Sequence, residues 1–338
     1  MGTATRPPAL HTALRRYDHA GTPLRCEPVP RGLLNRSWRV TTTRGTFFLK
    51  QYTAEDTADP RLIAHQHRAT RGLARLGLPA AAPLPAAGGE TVTVVRGTGY
   101  ALFPWIEGSH REGTELTPAQ SRRLGALLGH VHTGLARVQP PPAAVGHPSA
   151  EPHRTYVQID QLLALVRGHR PYDAFDALAE HRLVERRTLL RQHAHCRPPA
   201  AEDRVSGWVH GDFHPLNLLY RGDEPAAIVD WDRLGVHPRA EEAVRAAVIF
   251  FVHPVDGRLD LAKVRAYARA YRRAAGVAAA EVAAAVHRVW WERLNDFWML
   301  HWRYQRRDRR TDPLFPAASA LAVWWTREYP RVRDAFTE

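Results

Sequence analysis

The densest run of chemically capable side chains is Val209-His210-Gly211-Asp212-Phe213-His214-Pro215-Leu216-Asn217-Leu218-Leu219-Tyr220. An aspartate followed five positions later by an asparagine, and then by a short apolar run, is a spacing suited to phosphoryl transfer. Asp212 would accept a proton from, or orient, an attacking hydroxyl. Asn217 would offer its amide oxygen to Mg2+, a hard cation that takes oxygen ligands and keeps several waters. Thirteen positions after Asn217 comes the end of an apolar strand, Ala227-Ile228-Val229-Asp230-Trp231-Asp232. Asp230 could reach the same metal ion and bridge it to phosphate oxygens. Asp232, two positions on, shares its face in an extended chain and is either a second ligand or a partner of the first. A lone loop aspartate is ordinarily a turn former; the ordered combination is what points to phosphate chemistry.

A phosphate also needs cations. The chain has 338 residues and a formal net charge of +13, and of its 47 basic residues only Lys50 and Lys263 are lysines. So heavy an arginine bias, with abundant alanine and proline, accounts for most of the charge as composition. It makes Lys50, at the end of the apolar run Phe47-Phe48-Leu49, stand out as a point charge for phosphate. The preceding stretch Arg31-Gly32-Leu33-Leu34-Asn35-Arg36-Ser37 is a candidate loop over phosphates through the backbone around Asn35 and Ser37. With one glycine it is a weak glycine-rich motif, and an ordinary turn would read the same.

The elements that must position these residues follow from periodicity. Trp38–Thr42 and Thr46–Tyr52 read as a hairpin about Arg44-Gly45. Arg61–Leu76 has helical spacing and ends at Gly77, and Thr91–Val95 and Tyr100–Pro104 read as strands. After Gly108 the pattern is mostly helical. Thr117-Pro118-Ala119-Gln120 is a capping box opening a helix to about Val138. Helices are expected over 156–168, 173–195 and from about 240 to 338, with the strand–loop–strand stretch 208–231 between them. The expected division is residues 1–104 and 105–338. No apolar run approaches the ~20 residues of a membrane span. The N-terminus lacks the pattern of a signal peptide, and Cys26 and Cys196 imply no disulfide framework, so a cytoplasmic location is expected.

His210–Asn217 with Asp230 resembles the aminoglycoside phosphotransferases and the related choline- and homoserine-kinase-like enzymes, over roughly residues 30–310. The resemblance implies an α+β, two-lobed protein-kinase-like fold: a small N-terminal lobe of antiparallel sheet with one main helix, and a larger, mostly helical C-terminal lobe. It implies ATP and Mg2+ as cofactors and a hydroxyl of a small molecule, a metabolite or an aminoglycoside-like antibiotic, as acceptor. It makes Asp212 the catalytic aspartate, Asn217 and Asp230 the metal ligands, and Lys50 the α/β-phosphate lysine. Leu102-Phe103-Pro104-Trp105-Ile106-Glu107-Gly108 resembles the hinge, with the Pro104 carbonyl and the Ile106 amide on the adenine edge. One departure stands out: where the family has a glutamate paired with the lysine, the matching position is Gln66, with Glu55 or Asp56 as possible substitutes. A second is Glu241-Glu242 where an aspartate often follows the metal motif.

Three other readings compete. Gln66 motivates a catalytically weak nucleotide-binding or regulatory protein. The tract His301-Trp302-Arg303-Tyr304-Gln305-Arg306-Arg307-Asp308-Arg309-Arg310 has the aromatic and basic mixture that can bind single-stranded nucleic acid, a reading ranked last because the catalytic spacing would then be coincidence. Glu292 and Asp296, four apart on an expected helix beside Trp298 and Trp302, could favour an amine-bearing acceptor, although a core helix with a solvated acidic edge beside Arg293 is the reading preferred for most of these tryptophans. His193-Ala194-His195-Cys196 lacks a distant fourth ligand and reads as surface. The sequence leaves the acceptor, the choice of ATP or GTP and the oligomeric state open.

Overall fold

A computed structural model describes residues 8–30, 35–53, 59–140, 148–199 and 206–338. In chain order the elements are α1 (Pro8–Leu14), β1 (Pro23–Pro28), β2 (Arg36–Thr42), β3 (Gly45–Tyr52), α2 (Pro60–Arg75), β4 (Thr93–Val95) and β5 (Thr98–Pro104). Then come α3 (Pro118–Val138), α4 (Pro152–Gly168), α5 (Ala174–His193), β6 (Ser206–Val209), β7 (Leu218–Arg221), β8 (Glu224–Ile228) and β9 (Gly235–Pro238). The chain closes with α6 (Arg239–Phe251), α7 (Leu261–Ala275), α8 (Ala279–Asn295), α9 (Trp298–Tyr304), α10 (Phe315–Arg327) and α11 (Tyr329–Thr337). Among the described residues, no helix is long and apolar enough to cross a membrane.

Two compact units emerge. One comprises Met1–Arg111, Gly134–Pro140 and His210–Gly235; the other comprises Glu112–Thr133, Pro141–Val209 and Val236–Glu338. The first is built on an antiparallel sheet in the order β1-β2-β3-β5-β4. The expected hairpin forms about Thr43-Arg44, with Thr42 opposite Gly45 and Ser37 opposite Lys50. Alternation along β3 sends Leu49 to one face and Lys50 and Tyr52 to the other. Leu49 joins Leu10, Leu14, Tyr17 and Leu102 in a buried cluster under α1. Tyr52 meets Ile63 of α2 and Ala101 on the opposite side. Lys50 therefore leaves the sheet on the side covered by α2. Helix α2 starts where the Asp59 carboxylate accepts the Arg61 amide at 2.8 Å, with Pro60 in its first turn. Two elements of this unit, α1 and β1, are absent from the sequence reading; α1 has only seven residues and β1 begins and ends in proline.

The hairpin β7–β8 also belongs to this unit. Ile228 donates to the Pro79 carbonyl at 2.6 Å and accepts from the Ala81 amide at 2.9 Å, and Ser109 and Tyr220 exchange backbone bonds. The segment with the candidate catalytic residues, expected within residues 105–338, is thus joined by backbone to the sheet-bearing unit.

The second unit is helical around a core that includes Leu128, Ile159, Leu183, Tyr267, Trp291 and Trp325. The Thr117–Gln120 capping box forms as the sequence predicts: the Thr117 amide donates to Gln120 Oε1 at 2.8 Å and the Gln120 amide to Thr117 Oγ1 at 3.2 Å. Buried His132 bonds Glu242 at 2.7 Å and the Tyr271 hydroxyl at 3.0 Å, crosslinking α3, α6 and α7. Lys263 donates to the carbonyls of Gly113 and Thr114, so the second lysine is structural.

Candidate active site

Strand β6 delivers His210, buried completely, at the start of the loop. Its Nε2 donates to the Val229 carbonyl at 3.0 Å, and its Nδ1 accepts the Asp212 amide at 3.2 Å. One ring thereby fixes the backbone before Asp230 and the backbone of Asp212 together. Gly211 between them has φ +84, and a Cβ there would lie 2.1 Å from the Arg233 carbonyl oxygen, so only glycine fits. Trp231 completes the brace, its Nε1 donating to the Ile228 carbonyl at 3.0 Å. Between these anchors Asp230 adopts the left-handed conformation, φ 59, which aspartate tolerates better than most residues.

Asn217 is buried, and its Nδ2 donates to the Asp212 carbonyl at 2.8 Å. With its amide nitrogen committed, Oδ1 is the atom left to a ligand. The backbone carbonyl of Asn217 accepts from Val229 at 2.9 Å, joining the asparagine to the short link between β8 and Asp230.

The Lys50 ammonium lies 2.5 Å from Asp230 Oδ1 and 2.7 Å from Asp232 Oδ2. Burial pulls its pKa down, but the charges of Asp232 and Asp230 outweigh burial and leave it above the ordinary lysine value. Burial pushes Asp230 up, and Lys50 more than offsets this, holding it below the usual carboxylate range; the nearby charge of Asp212 works against Lys50. Asp232 goes the other way: burial and the charge of Asp230 raise it in spite of Lys50. The two aspartates also differ in access, with side chains 47% and 13% exposed respectively. Asp230 is open to a ligand, whereas Asp232 is locked. The lock consists of Asn35 Nδ2, 2.6 Å from its carboxylate, and Gln66 Nε2, 2.7 Å from its backbone carbonyl.

Asp212 carries a side chain 38% exposed, with His214 Nε2 at 3.6 Å and Arg233 Nε at 3.9 Å. Burial raises its pKa, but His214 and Arg233 prevail and the carboxyl stays below its ordinary value. It is ionised at neutral pH.

The other expected residues fall as follows. Asn35 spends its side chain on Asp232 and on the Thr53 amide, whose bond to Oδ1 is 2.9 Å. Ser37 is buried opposite Lys50, its carbonyl taking the Val29 amide at 2.8 Å. The Trp105 amide donates to Thr46 at 3.2 Å, so the Pro104 carbonyl, on the other side of that peptide, points away from β3. Pro104 ends β5 three residues beyond Ala101, the partner of Lys50. Residues 31–34 of the candidate phosphate loop, and Glu55 and Asp56, lie outside the described residues. Gln66 holds Asp232 rather than the ammonium, and the acidic partners of Lys50 come from the metal-motif segment itself. The sequence reading holds no such pairing: it takes Asp232 as a second metal ligand or a partner of the first, and looks to Gln66, Glu55 or Asp56 for the lysine. The supporting role of His210 carried no separate signal in the sequence.

The expected acidic helix face does not form. Helix α8 ends at Asn295, Asp296 accepts the Trp298 amide at 3.0 Å instead, and Glu292 pairs with Arg245 at 2.9 Å. Trp302 is covered by Arg306 and Arg310 at 5.1 and 5.8 Å. In the basic tract, Arg303 is buried and pairs with Asp173 at 2.7 Å and with Asp312. No group of three His, Cys, Asp or Glu side chains among the described residues could hold a metal ion. Asn217 and Asp230 suit Mg2+ nonetheless, because that ion is commonly held by one or two protein oxygens with phosphates and water completing its shell.

Comparison with known proteins is consistent with this arrangement. The homoserine kinase of Rhizobium meliloti (strain 1021) is 23% identical over 213 residues, 60% of this chain and 56% of that protein. The chain thus spans little more than half the length of that relative. Among solved structures, spectinomycin phosphotransferase in complex with ADP and spectinomycin superposes with a TM-score of 0.67 at 14% identity, covering 96% of this chain and 100% of that one. Amicoumacin kinase in complex with AMP-PNP, Ca2+ and Ami gives 0.59 at 18% identity, covering 96% and 92%. These likenesses establish a protein-kinase-like fold. A model of the phosphotransferase enzyme family matches residues 25–277, and with most of its length matched the chain belongs to that family.

Proposed function

We propose that the protein is an ATP-dependent small-molecule kinase that moves the γ-phosphoryl group to a hydroxyl of a metabolite or an antibiotic. The carrying observation is the Lys50 ammonium held between an open Asp230 and a locked Asp232, in the unit where Asn217 is tied to Asp212. In this reading Asn217 and Asp230 would hold Mg2+, which would supply charge neutralisation for the transferred phosphoryl group. Lys50 would serve the phosphates as a point charge, and Asp232, locked by Asn35 and Gln66, would hold it in place while Asp230 serves the metal. Asp212, ionised and open, accepts a hydrogen bond from the acceptor hydroxyl and orients it in line. Its low basicity suits a loose transition state, in which the hydroxyl proton moves late. The backbone near Asn35 and Ser37 covers the phosphates, and Pro104 and Ile106 take the adenine edge. Residues 1–104 act as the nucleotide lobe, and 105–338 carry the catalytic loop, the metal site and the acceptor-binding helices. A cytoplasmic location agrees with the need for ATP.

The decisive experiment is single-turnover transfer from labelled ATP with Mg2+ to a panel of alcohols, including homoserine and aminoglycosides. Asp212→Asn should lower the rate by at least about 100-fold while nucleotide affinity is retained. ATP binding by the wild type without transfer to any acceptor would favour the regulatory reading that Gln66 motivates.

A further inference from the structure

A recess in the helical unit is lined by Arg182 and Arg186 of α5, Arg293 of α8 and Asp296 just beyond α8. Its charges do not balance. Arg182 pairs with Glu185 on its own helix at 2.6 Å, although its Nε, like that of Arg186, has no hydrogen-bond partner. Arg186 is 5% exposed and donates to the Arg293 carbonyl, and its Nε has no hydrogen-bond partner. Burial drags its pKa down to about 10, against the opposing charge of Asp296. Arg293 is half-buried, and its guanidinium makes no ion pair or side-chain hydrogen bond among the described residues. Burial lowers its pKa too, against Asp296 and Glu292; Glu292 is itself engaged by Arg245 at 2.9 Å. Glu185 and Glu292 act on Arg186 and Arg293 but pair with Arg182 and Arg245, so the carboxylate of exposed Asp296 is the one left for the two guanidinium groups to share. A desolvated cation without its full counter-charge is costly, and one further anion would complete the set.

Size and lining narrow the ligand. The volume open to the centre of a water molecule is about 40 Å³, within a hollow of about 470 Å³ that opens to solvent. That interior exceeds what one water needs and accommodates a carboxylate head, with the rest of the molecule at the mouth. The apolar part of the lining is made by Leu183, Phe297, Trp298 and Phe315. We propose that this recess binds a small monocarboxylate with an apolar or aromatic tail, its head on Arg186 and Arg293 and its tail against Phe297 and Phe315. Guanidinium meets carboxylate in a two-point geometry, and a single negative charge is what the recess lacks. The site is independent of the phosphotransfer reading above.

The test is calorimetric titration of the full-length protein with 3-phenylpropionate, its neutral amide and inorganic phosphate. The acid should bind, and Arg293→Met should weaken it at least about tenfold, to the level at which the amide binds the wild type. Arg293 is half-exposed and the variant keeps an apolar stem; a circular dichroism spectrum matching the wild type confirms that it is folded. Undetectable binding of the acid, equal binding of acid and amide, binding unchanged in Arg293→Met, or phosphate binding as tightly as the acid would each overturn the proposal.

Discussion

Lys50 stands against two carboxylates of contrasting character, and the contrast has functional consequences. Asp230 is open and depressed in pKa; Asp232 is locked by Asn35 and Gln66 and raised in pKa. Replacing Lys50 by Met removes the only phosphate-directed charge assigned to β3. Affinity for AMP-PNP with Mg2+ should fall at least about tenfold, the loss of one charge-assisted bond, as titration calorimetry would record. Gly211 is constrained by geometry rather than charge. Gly211→Ala must place a Cβ 2.1 Å from the Arg233 carbonyl at φ +84. The left-handed conformation alone costs about 1–2 kcal/mol, and relief of the clash displaces Asp212 or Arg233. Urea denaturation should show a loss of at least about 2 kcal/mol, accompanied by a fall in kcat.

Between elements, α2 is tied to the sheet of its own unit through His67. Its Nε2 lies 3.1 Å from the Tyr52 hydroxyl of β3 and its Nδ1 2.8 Å from Thr91 Oγ1. Burial, with the charges of Lys50 and Arg71, drives its pKa down to about 3. The folded protein therefore keeps this ring neutral where the unfolded chain, with an ordinary histidine near 6.5, takes up a proton. Stability from this group is complete above about pH 6.5 and declines as pH falls toward 3, with a limiting slope of about 1.4 kcal/mol per pH unit. Between pH 7 and pH 5 the wild type should lose about 2 kcal/mol more than His67→Gln, as denaturation curves at the two pH values would measure.

For the whole chain, the proposed nucleotide, catalytic and metal residues Asn35, Lys50, Asp212, Asn217 and Asp230 all fall in the unit built from Met1–Arg111, Gly134–Pro140 and His210–Gly235. A ligand that binds the native state protects what it contacts against opening. Adding AMP-PNP and Mg2+ should therefore slow amide exchange mainly in β2, β3 and residues 210–232. The segment α9–α10, which lines the proposed carboxylate recess, should change less. Protection spread evenly over the helical unit would speak against the assignment.

Patterns local in sequence made much of this legible. Alternation in Phe47–Lys50, the capping box at Thr117 and the five-residue step from Asp212 to Asn217 are short-range features that backbone geometry reads directly, and with them came the hairpin, the long α3 and the candidate catalytic loop. The sequence also carried the family resemblance, because that rests on residue types at fixed spacing. Tertiary structure decided the partners. Lys50 meets Asp232, 182 positions away, while Gln66 meets a backbone carbonyl. Asp296 leaves the helix on which Glu292 ends up paired to Arg245. A charge's partner depends on which groups folding brings within a few ångströms of it and removes from water, and local spacing holds no record of that.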